Sequence, residues 1–341
     1  MKTKTIILVL MALLAACAGQ PATPAPGGSA APVSMKPAKV KVSSQAFGSF
    51  GPIWLAYDLG YFKEQALDVE LVEITAQADS FAAVLSNQLD VVTSNVTAGV
   101  INSLARGGDV RVVADRGSLS SSVCSSYGIM LRKEDFSGPN PAAAEIRGKT
   151  IHSQGDRWQD YLITKWLASF GLTFDDVKPL LVSNAVRLEA LNKNQVQIVP
   201  DTEPYITQHI ANGHILAALS PDKVLPNSQT TLLLYGSNMT GANADVGKRF
   251  MVAYLKGVRK FNEGKTDETV KIMNKYLKMD ETLLRKMCWS TMRNDGMVNV
   301  DSLLDFQKWA LDKKLVDKPL TSEQLFDPTY VQYATKILDG K

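Results

Sequence analysis

Cysteine is scarce, with 3 in 341 residues, which excludes a disulfide-dense scaffold. Histidine is equally sparse: His152, His209 and His214. The last two are five apart, off the spacing that puts two metal ligands on one helix face. No CxxC, HExxH, GxSxG or GxxxxGK[ST] motif occurs, so the matching metal, nucleophile and phosphate-loop chemistries have no local signature. Arg106-Gly107-Gly108 reads as a helix stop. Charge of one sign is also lacking. Lys plus Arg number 37 against 34 Asp plus Glu, a formal +3. That near-balance argues against a nucleic-acid partner, and 45% hydrophobic content argues against a disordered chain. No apolar run reaches the ~18 residues of a membrane span.

What is present begins with an address. Lys2 and Lys4 precede an unbroken apolar run of eleven residues, Ile6 to Ala16. This is the pattern of a secretory signal. It ends Leu14-Ala15-Ala16-Cys17, which resembles the bacterial lipobox. The resemblance implies cleavage after residue 16, diacylation of Cys17 and attachment to the extracytoplasmic face of the cell membrane through lipid. Cleavage removes Lys2 and Lys4 and brings the formal charge from +3 to +1. Residues 18–38 are rich in Pro, Ala, Gly and Ser and lack aromatics, so 17–38 is expected to be a flexible tether. Cys124 and Cys288 remain. Two separate buried thiols are expected, with a disulfide as the alternative.

The body alternates strand and helix patterns, which implies α/β architecture with mainly parallel sheets and flanking helices. Strand-like stretches are Val40–Val42, Leu67–Ile74, Leu89–Val92 and Val110–Ala114. Helical stretches between them are Pro52–Leu59, Ser80–Ser86 and Thr97–Arg106. A similar order recurs through Lys149–His152, Trp158–Phe170, a strand within Asp176–Val182, Arg187–Leu191, Gln195–Val199, Tyr205–Ala211 and Ile215–Leu219. Residues 245–341 are helix-rich, with candidate helices over Val246–Asn262, Thr266–Tyr276, Glu281–Thr291, Val300–Lys314 and Thr329–Leu338, the first carrying Val252, Leu255, Val258 and Phe261 at helical spacing. Two α/β lobes of similar build are the reading, with the C-terminal helices as packing.

In open α/β sheets, ligands bind beyond the carboxyl ends of strands. The loops there are rich in Ser, Thr, Asn and Gln with interspersed aromatics, a mixture suited to a small-molecule pocket.

Several stretches resemble the extracytoplasmic substrate-binding proteins of ABC importers that take up taurine and alkanesulfonates, nitrate, thiamine pyrimidine precursors and riboflavin. These are Leu55 to Lys63 with Leu67 to Glu70, Leu85 to Val91, Ile146 to Ile151, and Glu203-Pro204. Gln65-Ala66, Asn87 and Gln197 depart from the family pattern. The resemblance implies a two-lobed periplasmic-binding-protein clamshell of type II that closes on its solute. It places the signal at 1–16, lobe 1 at 39–125 and lobe 2 at 126–232, with a helix-rich return to lobe 1 at 233–341. Crossings are expected near 115–130 and 228–238. It implies permease and ATPase partners, no cofactor, no metal and no catalytic residue.

Carried over by loop position, the ligand contacts expected are Phe47, Ser49, Phe50, Trp54, Gln77, Ser94, Asn95, Trp158, Asp201, Glu203 and Tyr205. Asp156, Asp201 and Glu203 beside aromatics suit a neutral or weakly basic heterocycle. That reasoning favours a vitamin-type heterocycle, riboflavin first because aromatics come from both lobes, or else a thiamine pyrimidine precursor. Arg116 and Arg157 carry the alternative of an anion, a sulfonate, taurine or nitrate. An enzyme that forms the thiamine pyrimidine is the more distant alternative, and its Cys-rich motif is missing here.

Overall fold

The computed structural model describes residues 35–340 apart from 75–76, 108 and 121–123, and leaves the side chains of 77–79 undescribed. The expected signal, Cys17 and nearly all of the expected tether lie outside the described residues. Among the described residues, ten strands build two five-stranded sheets.

The first sheet holds β1 (Ala38–Ser44), β2 (Leu67–Glu73), β3 (Val91–Asn95), β4 (Arg111–Ser118) and β10 (Gln229–Tyr235), in the order β2-β1-β3-β10-β4. The second holds β5 (Tyr127–Leu131), β6 (Thr150–His152), β7 (Lys178–Leu180), β8 (Ile198–Thr202) and β9 (Ile215–Leu216), in the order β7-β6-β8-β5-β9. β1 pairs parallel with β2 in unbroken register from Ala38 opposite Leu67 to Ser44 opposite Glu73. β10 runs antiparallel to β3 and β4, and β5 antiparallel to β8 and β9. The chain enters the second lobe through β5 and returns to the first through β10.

Both antiparallel strands escape the alternation test. β5 and β10 are buried at every residue, so their hydrophobicity does not alternate. β4 runs through Ser118, so Arg116 sits within a strand rather than in a loop. The expected helix Glu281–Thr291 stops at Lys286. Residues 287–297 instead bond β4, the last strand before the chain crosses the hinge to the second lobe. The Ser118 N–H donates to the Thr291 carbonyl and the Asp115 N–H to the Gly296 carbonyl.

The expectation of two separate thiols is corrected. Cys124 and Cys288 are bonded, with Cα atoms 5.6 Å apart. Cys124 is exposed rather than buried. Ala66 and Asn87, which stand where the family pattern has Gly, have φ of 52° and 57°. Asn tolerates that left-handed conformation, whereas Ala66 holds it at a local cost.

Each lobe has its own apolar core. Helix Trp158–Ala168 joins them: Trp158, Tyr161 and Leu162 pack into the first core, and Ile163, Trp166 and Leu167 into the second. The long C-terminal helix Ala244–Asn262 lies along helix Gly51–Asp58 on the first lobe. Among the described residues, no helix is long and apolar enough to cross a membrane.

Candidate functional site

Loops at the carboxyl ends of β1, β3, β6 and β8 converge on a cavity of about 500 Å³ between the lobes. Parallel strands aim their following loops in one direction, so the fold itself gathers these side chains. Of the expected ligand contacts, Phe47, Ser49, Asn95 and Tyr205 line the cavity. Phe47 from the first lobe meets Tyr205 from the second edge-to-face, with ring centroids 5.9 Å apart.

Six expected contacts lie elsewhere. Trp54 is buried; its ring stacks on Tyr276 at 4.8 Å, and its Nε1–H donates to Ser44 Oγ at 3.0 Å. Trp158 is buried against Tyr127 and donates from Nε1 to Ser228 Oγ at 2.7 Å. Phe50 is buried beneath the Arg116 guanidinium. The Ser94 hydroxyl donates to the Asn95 carbonyl. Asp201 and Glu203 are also buried away from the cavity lining. The side chain of Gln77 is outside the described residues.

Arginine gives the cavity its electrostatic character. Arg116, Arg157 and Arg187 all line it. Arg116 is 4% exposed. It donates from Nη1 to Ser49 Oγ at 2.7 Å and stacks 4.6 Å above the Phe50 ring. Among the described residues its buried Nε has no hydrogen-bond partner. Among the described residues no carboxylate forms a salt bridge with it. Burial therefore pulls its pKa below the usual arginine range. Arg157 lies 3.8 Å from the Asp156 carboxylate, and burial lowers its pKa too.

Arg187 is held from behind. It donates from Nη1 to Asp201 Oδ1 at 2.8 Å, and Nη2 lies 2.8 Å from His152 Nε2. Desolvation and the neighbouring Arg187 push the His152 pKa down to about 4, so the ring is neutral near pH 7.

The acidic residues that suggested a heterocycle are already occupied. Asp201 Oδ1 takes Arg187 and the Thr202 N–H, while Oδ2 lies 3.1 Å from His209 Nε2. Glu203 accepts from the Thr207 N–H and hydroxyl and from the Cys288 N–H, at 3.0, 2.8 and 3.1 Å. Burial raises the Glu203 pKa. Among the described residues no cluster of three His, Cys, Asp or Glu can hold a metal ion.

The sequence offered Arg116 and Arg157 as charged residues near strand ends. Sequence reasoning misses Arg187, which starts a helix only three residues after Asn184 and so reads as part of the helix rather than of the loop.

No curated protein matches the chain. Its fold is that of solved periplasmic binding proteins. A ligand-binding component of an ABC-type import system from Staphylococcus aureus aligns at a TM-score of 0.73 and 15% identity, over 87% of this chain and 98% of that one. The periplasmic aliphatic sulphonate-binding protein of Escherichia coli aligns at 0.67 and 16%, over 86% and 93%. The periplasmic nitrate-binding protein of Synechocystis PCC 6803 aligns at 0.71 and 12%, over 90% of each chain. The same fold also carries a desulfurization enzyme. A model described as "NMT1/THI5 like" matches residues 48–263, most of the described body. The chain belongs to the NMT1/THI5-like family.

Proposed function

We propose that this protein is the solute-binding component of an ABC importer and that it captures a small anion in the inter-lobe cavity. Lobe closure then distinguishes the loaded from the empty protein, and the permease of the importer reads that difference. No turnover is involved.

The observation that carries the anion is Arg116. It is a nearly buried guanidinium with a serine and an aromatic ring as partners and no carboxylate salt bridge among the described residues. A buried charge that no carboxylate touches is costly, since Asp115 acts on it only through space, and an anion in the cavity supplies a direct partner. Planar guanidinium suits the oxygens of a sulfonate or nitrate. The case for riboflavin or a thiamine pyrimidine precursor rested on Asp201 and Glu203 as acceptors. Both are engaged within the protein, which leaves the heterocycle without the groups that recommended it.

Lipid attachment at Cys17 places the body at the extracytoplasmic membrane face. The Cys124–Cys288 disulfide supports that address, since such bonds persist in oxidising compartments.

The test is tryptophan-fluorescence titration and thermal shift against taurine, alkanesulfonates, nitrate, riboflavin and formylaminopyrimidine. A sulfonate, taurine or nitrate is expected to bind 1:1, and Arg116→Gln is expected to weaken that binding at least tenfold. Binding of riboflavin or the pyrimidine alone overturns the anion reading.

A further inference from the structure

The donors around Arg187 outnumber the acceptors. The guanidinium carries five N–H groups. Its protein partners are the Val182 carbonyl for Nε at 3.4 Å, Asp201 Oδ1 for Nη1 at 2.8 Å and His152 Nε2 for Nη2 at 2.8 Å. Among the described residues, at least two N–H groups find no acceptor on a side chain that lines the cavity.

The His152 contact is itself short of an acceptor. The Val182 N–H donates to His152 Nδ1 at 3.1 Å. Arg187 has only donors, so Nε2 is asked to accept as well. A neutral imidazole has one lone pair to offer and one N–H. Two donors therefore contend for one lone pair, and the ring cannot become an acceptor at both nitrogens. Asp201 does not relieve the conflict: its Oδ1 takes Arg187 Nη1 and the Thr202 N–H, and its Oδ2 faces His209 rather than Nη2.

From this knot, and resting on the anion reading above, we propose that Arg187 is the anion-contacting group on the second lobe and that an incoming anion draws its Nη2 away from His152. Asp201 and His152 are positioning residues. Asp201 holds Nη1 while Nη2 changes partner. His152, freed of Arg187, keeps its proton on Nε2 and accepts from Val182 at Nδ1 alone. Arg116 from the first lobe and Arg187 from the second then hold the anion from opposite walls, which ties anion binding to closure. The surrounding charged and titratable groups are consistent with this. Arg157 shares the cavity, and His209 backs Asp201 from its own helix.

The experiment uses the whole body with its disulfide intact and ethanesulfonate and nitrate as anions, with ethanesulfonamide as the uncharged control. Arg187→Gln is expected to lose at least tenfold in ethanesulfonate affinity while ethanesulfonamide changes by less than twofold. Asp201→Asn is expected to narrow the same charge preference. Because that variant strands a buried arginine and threatens the fold, a second measurement is made on the unaltered chain. The ¹⁵N shifts of the His152 ring are expected to move to a single Nε2–H tautomer on saturation with ethanesulfonate. Anion affinity within twofold of the unaltered chain in Arg187→Gln overturns the proposal, as does an unchanged His152 tautomer. In either case the anion reading stands if Arg116→Gln still abolishes binding. If neither anion binds the unaltered chain, the anion reading falls and this proposal with it.

Discussion

Asp115 sits beside Arg116 in β4 and is 1% exposed. Its carboxylate accepts from the Gly117 N–H at 2.8 Å, from Gln229 Nε2 at 2.7 Å and from the Arg293 N–H at 2.8 Å. It thereby ties β4, β10 and the 287–297 segment together. Desolvation outweighs these bonds and pushes its pKa up from 3.8 to about 6. A raised folded pKa means that the fold holds the proton more tightly than the unfolded chain does. The associated stability is complete below pH ~4 and is lost as pH rises through about 6. The loss is about 3 kcal/mol. Asp115→Asn removes this titration and one acceptor for Arg293. Urea unfolding from pH 4 to 7 is therefore expected to shift in favour of the variant, relative to the parent, by about 3 kcal/mol. A parent-to-variant difference that stays constant over that window sinks the assignment.

The residue scale is also where the sequence was least legible. Trp54 and Trp158 lie in the first turns of helices next to polar loops, and beyond the Phe50 ring stacked on Trp54 nothing near them in sequence explains an aromatic ring. Their partners are remote: Tyr276 for one, Ser228 for the other. Contacts of that separation leave no trace in local pattern. Phe47 and Tyr205 looked the same in sequence and do face the cavity. Asp201 and Glu203 misled for a related reason, since a carboxylate in a loop does not disclose that a distant arginine or Cys288 amide already uses it.

At the scale of elements, periodicity served well where one face is solvated. Helix Ala244–Asn262 begins within two residues of its expected start and ends where expected. β2 shows the alternation that marked it. β5 and β10 failed the same test because both of their faces are covered. Close packing of two of these elements yields a prediction. Helix Ala244–Asn262 crosses helix Gly51–Asp58 at Gly257, where an added Cβ would stand 2.2 Å from the Pro52 carbonyl oxygen and 3.0 Å from Ala56 Cβ. A backbone oxygen cannot swing aside as a side chain can, so the helices must separate. Gly257→Ala is expected to cost about 1–3 kcal/mol despite the better helix propensity of Ala. Chemical denaturation measures this, and a stabilised variant would show that the helices are not in contact there.

Across the whole molecule, the disulfide and the hinge act on the same segment. Cys124 and Cys288 are 164 residues apart in sequence, and the loop they close contains the entire second sheet. Linking such distant points restricts the unfolded chain far more than the folded one, an effect worth about 2–5 kcal/mol. The bond also anchors the start of the 287–297 segment beside both lobes. The Cys288 N–H donates to Glu203 at the end of β8, and residues further along bond Ser118 and Asp115 in β4. Cutting the bond therefore acts on overall stability and on the fastening between lobes. The double replacement Cys124→Ser and Cys288→Ser is expected to lower unfolding free energy by about 2–5 kcal/mol. Amide exchange at positions 118 and 288 is expected to accelerate more than exchange in the middle of β1, which pairs with β2 and β3 rather than with the 287–297 segment. Equal acceleration at all three places would mean that the bond acts through the unfolded chain alone. An unfolding midpoint that does not change would remove the disulfide from the account of how the two lobes are held.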